Sequence, residues 1–269
     1  VNWETTEKQI REQVSAFLDQ SEGSPAIALT QGFMGATPGG ETTTLGREGS
    51  DYTAAIFAYA LQADEMVIWK DVPGLLNADP KYFSRTEKLA SISYREAIEL
   101  SYYGATIIHP KTIKPLQNKD IPLRIKSFVK PGDEGSIIQN DTAADSLIPS
   151  FIFKVDQVLI SIIPRDFSFI DEQSLSEILA VFARNSIHIS LMQNSAISFS
   201  VCVDNNQRKL SRLFDELGKN YKVRYNTGLE LITIRHYDQA TIDRVMEDGK
   251  TVLLEMRSRL TAQFVARPN

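Results

Sequence analysis

The chain has 269 residues, 42% hydrophobic and 23% charged, with a net charge of −5 and a pI near 5.4. That is the composition of a soluble globular protein with room for two domains, and its acidity, unbroken by any basic block, argues against a nucleic-acid partner. No apolar run reaches the roughly 18 residues of a membrane span, and a single cysteine, Cys202, excludes an internal disulfide framework and fits a reducing cytoplasm.

Taken in chain order, residues 6–20 have helical apolar spacing, with Ile10, Val14, Phe17 and Leu18 on one face, and lack the core of a secretory signal. Residues 26–33 are apolar and strand-like. Ser50 is placed to cap a helix over 50–62, whose apolar residues are Ala54, Ala55, Ala58 and Leu61. Met66–Trp69 reads as a short buried strand. Ser93 and Glu96 have capping-box spacing, and Gly104 can close the helix they start. A short helix is expected from Lys111 and a strand over 121–129, ended by Pro131 and Gly132.

Composition turns polar and small over 140–149, which marks a domain boundary. Beyond it the pattern predicts strand 151–164, helix 172–185, strands 188–193 and 197–204, helix 208–220 and strand 221–225. This is the ferredoxin-like order β-α-β-β-α-β. Strand 229–236, helix 240–247 and strands 251–257 and 261–266 form a partial copy. It lacks a final helix and strand, so it is expected to borrow a piece from elsewhere or to be completed by a partner. Cys202 lies in an apolar run and reads as core.

Residues 42–54, Thr-Thr-Thr-Leu-Gly-Arg-Glu-Gly-Ser-Asp-Tyr-Thr-Ala, carry the most chemistry. Arg47 offers a planar fork of donors matched to a carboxylate. Gly46 and Gly49 permit a sharp turn and close approach of a ligand. A helix beginning at Ser50 presents free N–H groups to an anion. This stretch resembles the substrate loop of aspartate kinases, which phosphorylate the side-chain carboxylate of L-aspartate, and the resemblance extends over almost the whole chain. It implies that Arg47 clamps a substrate carboxylate, that Gly49 and Ser50 line the aspartate site, and that Phe33, in Gln31-Gly-Phe33, packs near the substrate. Asp51 would lie beside the transferring phosphate, orienting the amino group or organising the metal and the developing charge; a helix-dipole partner at N1 is the competing role.

Val67 to Lys81 resembles the family's nucleotide-binding stretch W-T-D-V-x-G-(I/V)-Y-x-x-D-P-R. Asp71 and Asp79 match it; Lys70 replaces Thr, Leu76 replaces Tyr, and Lys81 replaces Arg. Gly104-Ala-Thr-Ile-Ile-His-Pro-Lys-Thr112 resembles a third motif, in which some members carry a phosphate-reaching Lys at the place of Thr106. His109, before a proline, reads as structural. ATP with its Mg²⁺ is the implied cofactor pair, the scattered histidines supporting no protein-only metal cage.

The later half is similar to paired ACT domains that bind feedback amino acids. Ser186–Ser195 resembles the strand N-I-S-V-x-L-I-x-Q-S-S of threonine- and lysine-sensitive members, which places Ser190, Gln193 and Asn194 at an effector site; sheet-edge and interface hydrogen bonds are the competing roles for these residues. Residues 253–265 resemble the second repeat's L-L-E-Q-R-S-R-x-T-x-Q-F-V. The implied architecture is an α/β, three-layer amino-acid kinase (carbamate kinase-like) domain over 1–145, then ferredoxin-like ACT domains over 146–228 and 229–269. The family's opening K-F-G-G-T-S is absent, so the kinase domain is expected to be N-terminally truncated and this chain alone inactive. The implied partners are L-aspartate, ATP, threonine or lysine as effector, and a second copy joined through the ACT domains. The alternative is a non-catalytic, amino-acid-sensing regulatory subunit; the intact substrate loop favours the kinase.

Overall fold

Helix α1 (Trp3–Asp19) forms where helical spacing predicts it but buries none of its residues, and Phe17 and Leu18 are exposed. Its hold on the next helix, α2 (Gly49–Leu61), comes from elsewhere. Trp3 tilts against the Tyr59 ring at 4.8 Å, and Arg11 Nε donates to the Ala60 carbonyl at 2.6 Å. These elements belong to a computed structural model that describes residues 1–269 except 20–24, 84, 106, 107, 167, 248 and 269. The chain divides into two units, Val1–Ile148 and Pro149–Asn269.

The strand expected over 26–33 does not form. Residues 26–32 have no ladder partner, and Ile27 and Leu29 are 90% and 97% exposed. Apolar residues mark a segment for burial, but a strand also needs a neighbour for its N–H and C=O groups. The chain instead enters a hairpin of β1 (Met34–Ala36) and β2 (Thr42–Thr44), paired from Met34–Thr44 to Ala36–Thr42.

Ser50 is not the N-cap of α2. The helix already begins at Gly49, and its N-cap is Glu48, in the left-handed region with no side-chain capping bond. Phe33 (φ 75°) and Glu48 (φ 54°) turn the backbone so tightly that the helical path starts earlier than the side-chain pattern indicates.

The first unit's main sheet contains β3 (Met66–Lys70), β6 (Ser91–Ser93), β7 (Leu123–Ser127) and β8 (Ser136–Gln139), with a small ladder of β4 (Leu75–Leu76) and β5 (Lys88–Leu89) beside it. The order is β3-β7-β8-β6; β3/β7 and β6/β8 are parallel and β7/β8 antiparallel. Strand β7 is shorter than the expected 121–129. Strand β3 is not buried throughout: Trp69 is half exposed.

Helices α3 (Tyr94–Tyr103) and α4 (Pro110–Lys119) add the buried Ala97, Leu100, Ile113 and Leu116 to a core that includes Ile68, Ile92, Leu123, Ile125 and Ile138. Ser93 caps α3 by accepting the Glu96 N–H, but the reciprocal bond comes from Asp145, not from Glu96. Its Oδ1 accepts the Ser93 N–H at 2.7 Å and its Oδ2 the Ser93 hydroxyl at 2.6 Å.

The second unit is built on one six-stranded sheet. Its strands are β9 (Ser150–Pro164), β10 (Ile189–Asn194), β11 (Phe199–Asp204), β12 (Tyr221–Arg235), β13 (Thr251–Arg257) and β14 (Thr261–Arg267), in the order β10-β11-β9-β12-β14-β13. Helices α5 (Glu172–Arg184) and α6 (Gln207–Leu217) complete the order β-α-β-β-α-β, and α7 (Gln239–Met246) follows. Val158, Ile160, Ile162, Phe199, Val201 and Val203 face α5 and α6, meeting Ile178, Phe182, Leu210 and Leu213.

Two strands expected separately, 221–225 and 229–236, are one. Strand β12 runs antiparallel to β9 along its whole length, with register shifts between Asn226 and Leu231 and Gly228 at φ 65°. Residues 229–235 pair with 150–157, so the start of β9 serves the later half of the sheet.

Candidate functional site

The β1–β2 hairpin delivers the Arg47 loop. Leu45 N–H donates to the Phe33 carbonyl at 2.8 Å. On the other side, the Thr53 hydroxyl donates to the Gly49 carbonyl and accepts the Phe33 N–H, both at 2.9 Å. Phe33 therefore sits against the start of α2, and Gly49 is required there: a Cβ would come within 2.6 Å of Phe33 Cδ2.

Two groups at the start of α4 fasten the same loop. Lys111 Nζ donates to the Leu45 carbonyl at 2.9 Å, and the Glu48 carboxylate accepts the His109 N–H at 2.8 Å. His109 itself is structural, as read: its Nδ1 caps α4 by accepting the Lys111 N–H at 3.2 Å. Sequence reading missed Glu48, Thr53 and Lys111. The partners of Glu48 and Lys111 lie 61 and 66 positions away, beyond any local pattern. The one usable signal was a long acidic side chain between two glycines of a tight loop.

Arg47 is exposed, and its guanidinium makes no hydrogen bond or ion pair among the described residues. Asp51, in the first turn of α2, lies 3.8 Å from Lys70 Nζ at the end of β3. Burial pushes the Asp51 carboxyl above its ordinary value; Lys70 opposes the rise and Glu48 adds to it. Phe33, Gly49, Asp51 and Lys70 are thus brought together, with Arg47 and Ser50 on the same turn of chain.

The remaining nucleotide candidates are more spread. Asp71 is exposed, and Leu76 lies in β4, where the neighbouring Leu75 N–H donates to Ser136 Oγ at 2.8 Å. Asp79 Oδ1 accepts the Lys81 N–H at 2.9 Å in an exposed turn. No hydrogen bond or ion pair joins Asp71, Asp79 or Lys81 to Asp51 among the described residues. Thr106 lies outside the described residues. At the carboxyl ends of the parallel strands β3 and β7, where α/β sheets place ligands, Trp69 and Phe128 meet edge to face at 6.2 Å, with Lys126 Nζ 5.2 Å from the Trp69 ring centre. Among the described residues, no group of three or more His, Cys, Asp or Glu is placed to hold a metal ion by itself, and no helix is long and apolar enough to cross a membrane.

In the second unit, Ser190 Oγ accepts a hydrogen bond from Lys154 Nζ at 2.8 Å, and the same ammonium lies 3.1 Å from Asp204. Gln157 Nε2 donates to Asp204 at 2.9 Å. Burial alone would raise the Asp204 carboxyl; the hydrogen bonds from Gln157 and Lys154 outweigh it and hold the group low. Gln193 and Asn194 are exposed on edge strand β10 and, as successive strand residues, face opposite sides. Gln193 pairs with Ser200, whose hydroxyl meets Ser161 at 3.2 Å on the face away from α5 and α6.

Residues 3–127 match the Amino acid kinase family model. The chain is 35% identical over 179 residues to lysine-sensitive aspartokinase 3 of Escherichia coli (strain K12), covering 66% of this chain and 39% of that protein. Crystal structures of E. coli aspartokinase III, one in complex with lysine and aspartate and one with aspartate and ADP, each superpose with a TM-score of 0.75 at 28% and 27% identity. Each match covers 96% of this chain and 60% of the other. The chain thus spans less than two thirds of each of these relatives.

Proposed function

We propose that this chain carries the acceptor-substrate apparatus of an aspartate kinase, which transfers the γ-phosphoryl group of ATP to the side-chain carboxylate of L-aspartate. The carrying observation is an Arg47 guanidinium unpaired among the described residues and placed just before α2, with the Asp51–Lys70 pair one turn away. Arg47 takes a substrate carboxylate by its planar fork. The free N–H groups of the first turn of α2, at Gly49 and Ser50, favour the same negative charge. Asp51 receives the substrate's ammonium group, and Lys70 offers positive charge to the incoming phosphoryl oxygens.

One oxygen of the substrate's side-chain carboxylate then attacks the γ-phosphorus, the bond to the β-bridging oxygen breaks, and 4-phospho-L-aspartate and ADP result. The chain's part is positioning and electrostatics, the main requirements of phosphoryl transfer. Mg²⁺ arriving with ATP would neutralise phosphate charge. The exposed rings of Trp69 and Phe128 offer apolar surface for the base, with Asp71, Leu76, Asp79 and Lys81 along the nucleotide's path. The aspartate and ADP bound by the E. coli relative support this ligand pair.

Beyond the kinase part, residues 146–228 act as one ACT domain and 229–269 as another that shares β9, nearly all of them in the second unit. This unit senses threonine or lysine and joins two copies of the chain, in a cytoplasmic enzyme at the head of lysine, threonine and methionine synthesis. The test is titration of the purified chain with L-aspartate, followed by calorimetry and amide NMR. L-Aspartate should shift the amides of 46–51, L-glutamate should not, and Arg47→Ala should abolish the response. Aspartate binding that survives Arg47→Ala, or that leaves 46–51 unmoved, overturns the reading.

A further inference from the structure

Glu48 is the least expected residue in the Arg47 loop. It is a non-glycine residue at φ 54°, a conformation that costs roughly 1–2 kcal/mol relative to the right-handed region. It occupies the N-cap position of α2 yet makes no capping bond there. Its carboxylate is directed instead to the start of another helix, accepting the His109 N–H at 2.8 Å where α4 begins. A helix N-terminus attracts negative charge, so the carboxylate gains from both the bond and the field.

The neighbouring guanidinium matters as much. Glu48 is adjacent to Arg47, and a free carboxylate there would be the nearest partner for the fork. In the structure Arg47 is unpaired among the described residues, while Glu48 is engaged elsewhere. The loop is held at the same end by Lys111 Nζ on the Leu45 carbonyl. Residues 45 and 48 are thus tied to residues 109–111, leaving Arg47 between two fixed points.

We propose that Glu48 is a positioning residue with two effects. It latches the Arg47 loop to α4, and by placing its own charge at the α4 N-terminus it keeps that charge from quenching Arg47. The proposal concerns the carboxylate-binding loop and rests on the aspartate-binding reading only for the identity of the ligand. It differs from a purely structural role because four side chains at position 48 separate the two effects. Gln keeps the reach and an accepting oxygen without charge. Gly removes the acceptor but suits the positive φ. Asp keeps the charge, tolerates the left-handed region better than Glu, and is too short to reach the His109 N–H, so its carboxylate is released beside Arg47.

The experiment compares the parent chain with Glu48→Gln, Glu48→Gly and Glu48→Asp by amide hydrogen exchange, thermal melting and titration with L-aspartate. Exchange at His109 should stay slow in the parent and Glu48→Gln and become roughly tenfold faster in Glu48→Gly and Glu48→Asp, the scale of one lost charge-assisted bond. Aspartate affinity should rank parent and Glu48→Gln first, Glu48→Gly about tenfold weaker, and Glu48→Asp weakest. The melting temperatures of Glu48→Gly and Glu48→Asp should not fall in step with that ranking. Unchanged His109 exchange in both Glu48→Gly and Glu48→Asp overturns the latch, whatever aspartate does. Equal affinity in Glu48→Gly and Glu48→Asp overturns the charge-removal effect. If the parent does not bind aspartate, the proposed substrate falls, and the latch is decided by exchange alone.

Discussion

Lys70 Nζ stands 3.8 Å from Asp51 Oδ2, joining the end of β3 to the first turn of α2. The attraction does not offset the cost of partial burial, so the Asp51 carboxyl titrates above its ordinary value of 3.8. The folded state then binds this proton more tightly than the unfolded chain. Stability due to Asp51 therefore falls as pH rises from the unfolded value through the folded one, and stays lower above it. Asp51→Asn should raise the melting temperature slightly at pH 7 and give no gain below about pH 3, while abolishing any turnover in a catalytically competent form. Lys70→Met should raise the Asp51 carboxyl further, readable by carbon NMR titration. A downward shift would show that the pairing has been misassigned.

Gly49 is fixed by Phe33. Gly49→Ala would set a Cβ 2.6 Å from Phe33 Cδ2 and 3.2 Å from Leu45 Cβ. Overpacking of this kind costs about 1–3 kcal/mol. Urea unfolding should register it, and aspartate affinity should fall as well because Phe33 and Leu45 frame the Arg47 loop.

Ser93 and Asp145 form a small closed network at the head of α3. Ser93→Ala should cost about 1–2 kcal/mol, the scale of a lost N-cap. Asp145→Ala should cost a similar amount, and the double variant should cost less than the sum, because both changes remove the bond between the Ser93 hydroxyl and Asp145. Additive losses in a urea double-mutant cycle would mean that the two act independently.

Cys202 is fully buried, and burial pushes its thiol up to about 12; Lys154 works against that rise and Asp204 adds to it. The thiolate is the reactive form. A chromogenic disulfide reagent should label no thiol in the native chain near neutral pH and one thiol in guanidinium, matching the single cysteine. Rapid native labelling would contradict the core placement.

Gln193 faces the side of β10 shared with Ser200, away from α5 and α6, whereas Asn194 faces the other way. Threonine or lysine at millimolar concentration should raise the melting temperature more than alanine does, since a ligand that binds only the folded state stabilises it by about 2.7 kcal/mol at a hundredfold excess over Kd. Gln193→Ala should remove the shift and Asn194→Ala should leave most of it. A full response in Gln193→Ala would place the effector elsewhere. Lysine is the weaker candidate, because Ser190 already accepts a hydrogen bond from the chain's own Lys154 ammonium.

Local signals carried much of this molecule. Helix spacing located α5, α6 and α7, and the glycines of the Arg47 loop announced a tight turn that the structure contains. What stayed illegible was supplied by distant partners. Residues 26–33 have strand-like composition, yet nothing local could report that no strand lies alongside. Asn226 and Gly228 look like the end of a strand because both tolerate irregular backbone, and β12 uses that tolerance for a bulge while continuing. The early start of α2 was hidden because Glu48, not a short polar residue, takes its N-cap position. Lys111 and Glu48 were invisible as loop-holding residues because their partners lie 66 and 61 positions away in the chain.

The length of β9 and β12 has a final consequence. Each runs 15 residues, and the two are hydrogen-bonded from one end of the second unit to the other. A cut after Gly228 would strand the later segment without residues 150–157, which lie on the earlier side of the cut, and would leave the earlier segment with half a ladder open to water. Neither piece could be transplanted into another protein by itself. The two halves of the sheet should therefore melt as one body, and an insertion between them must spare both long strands.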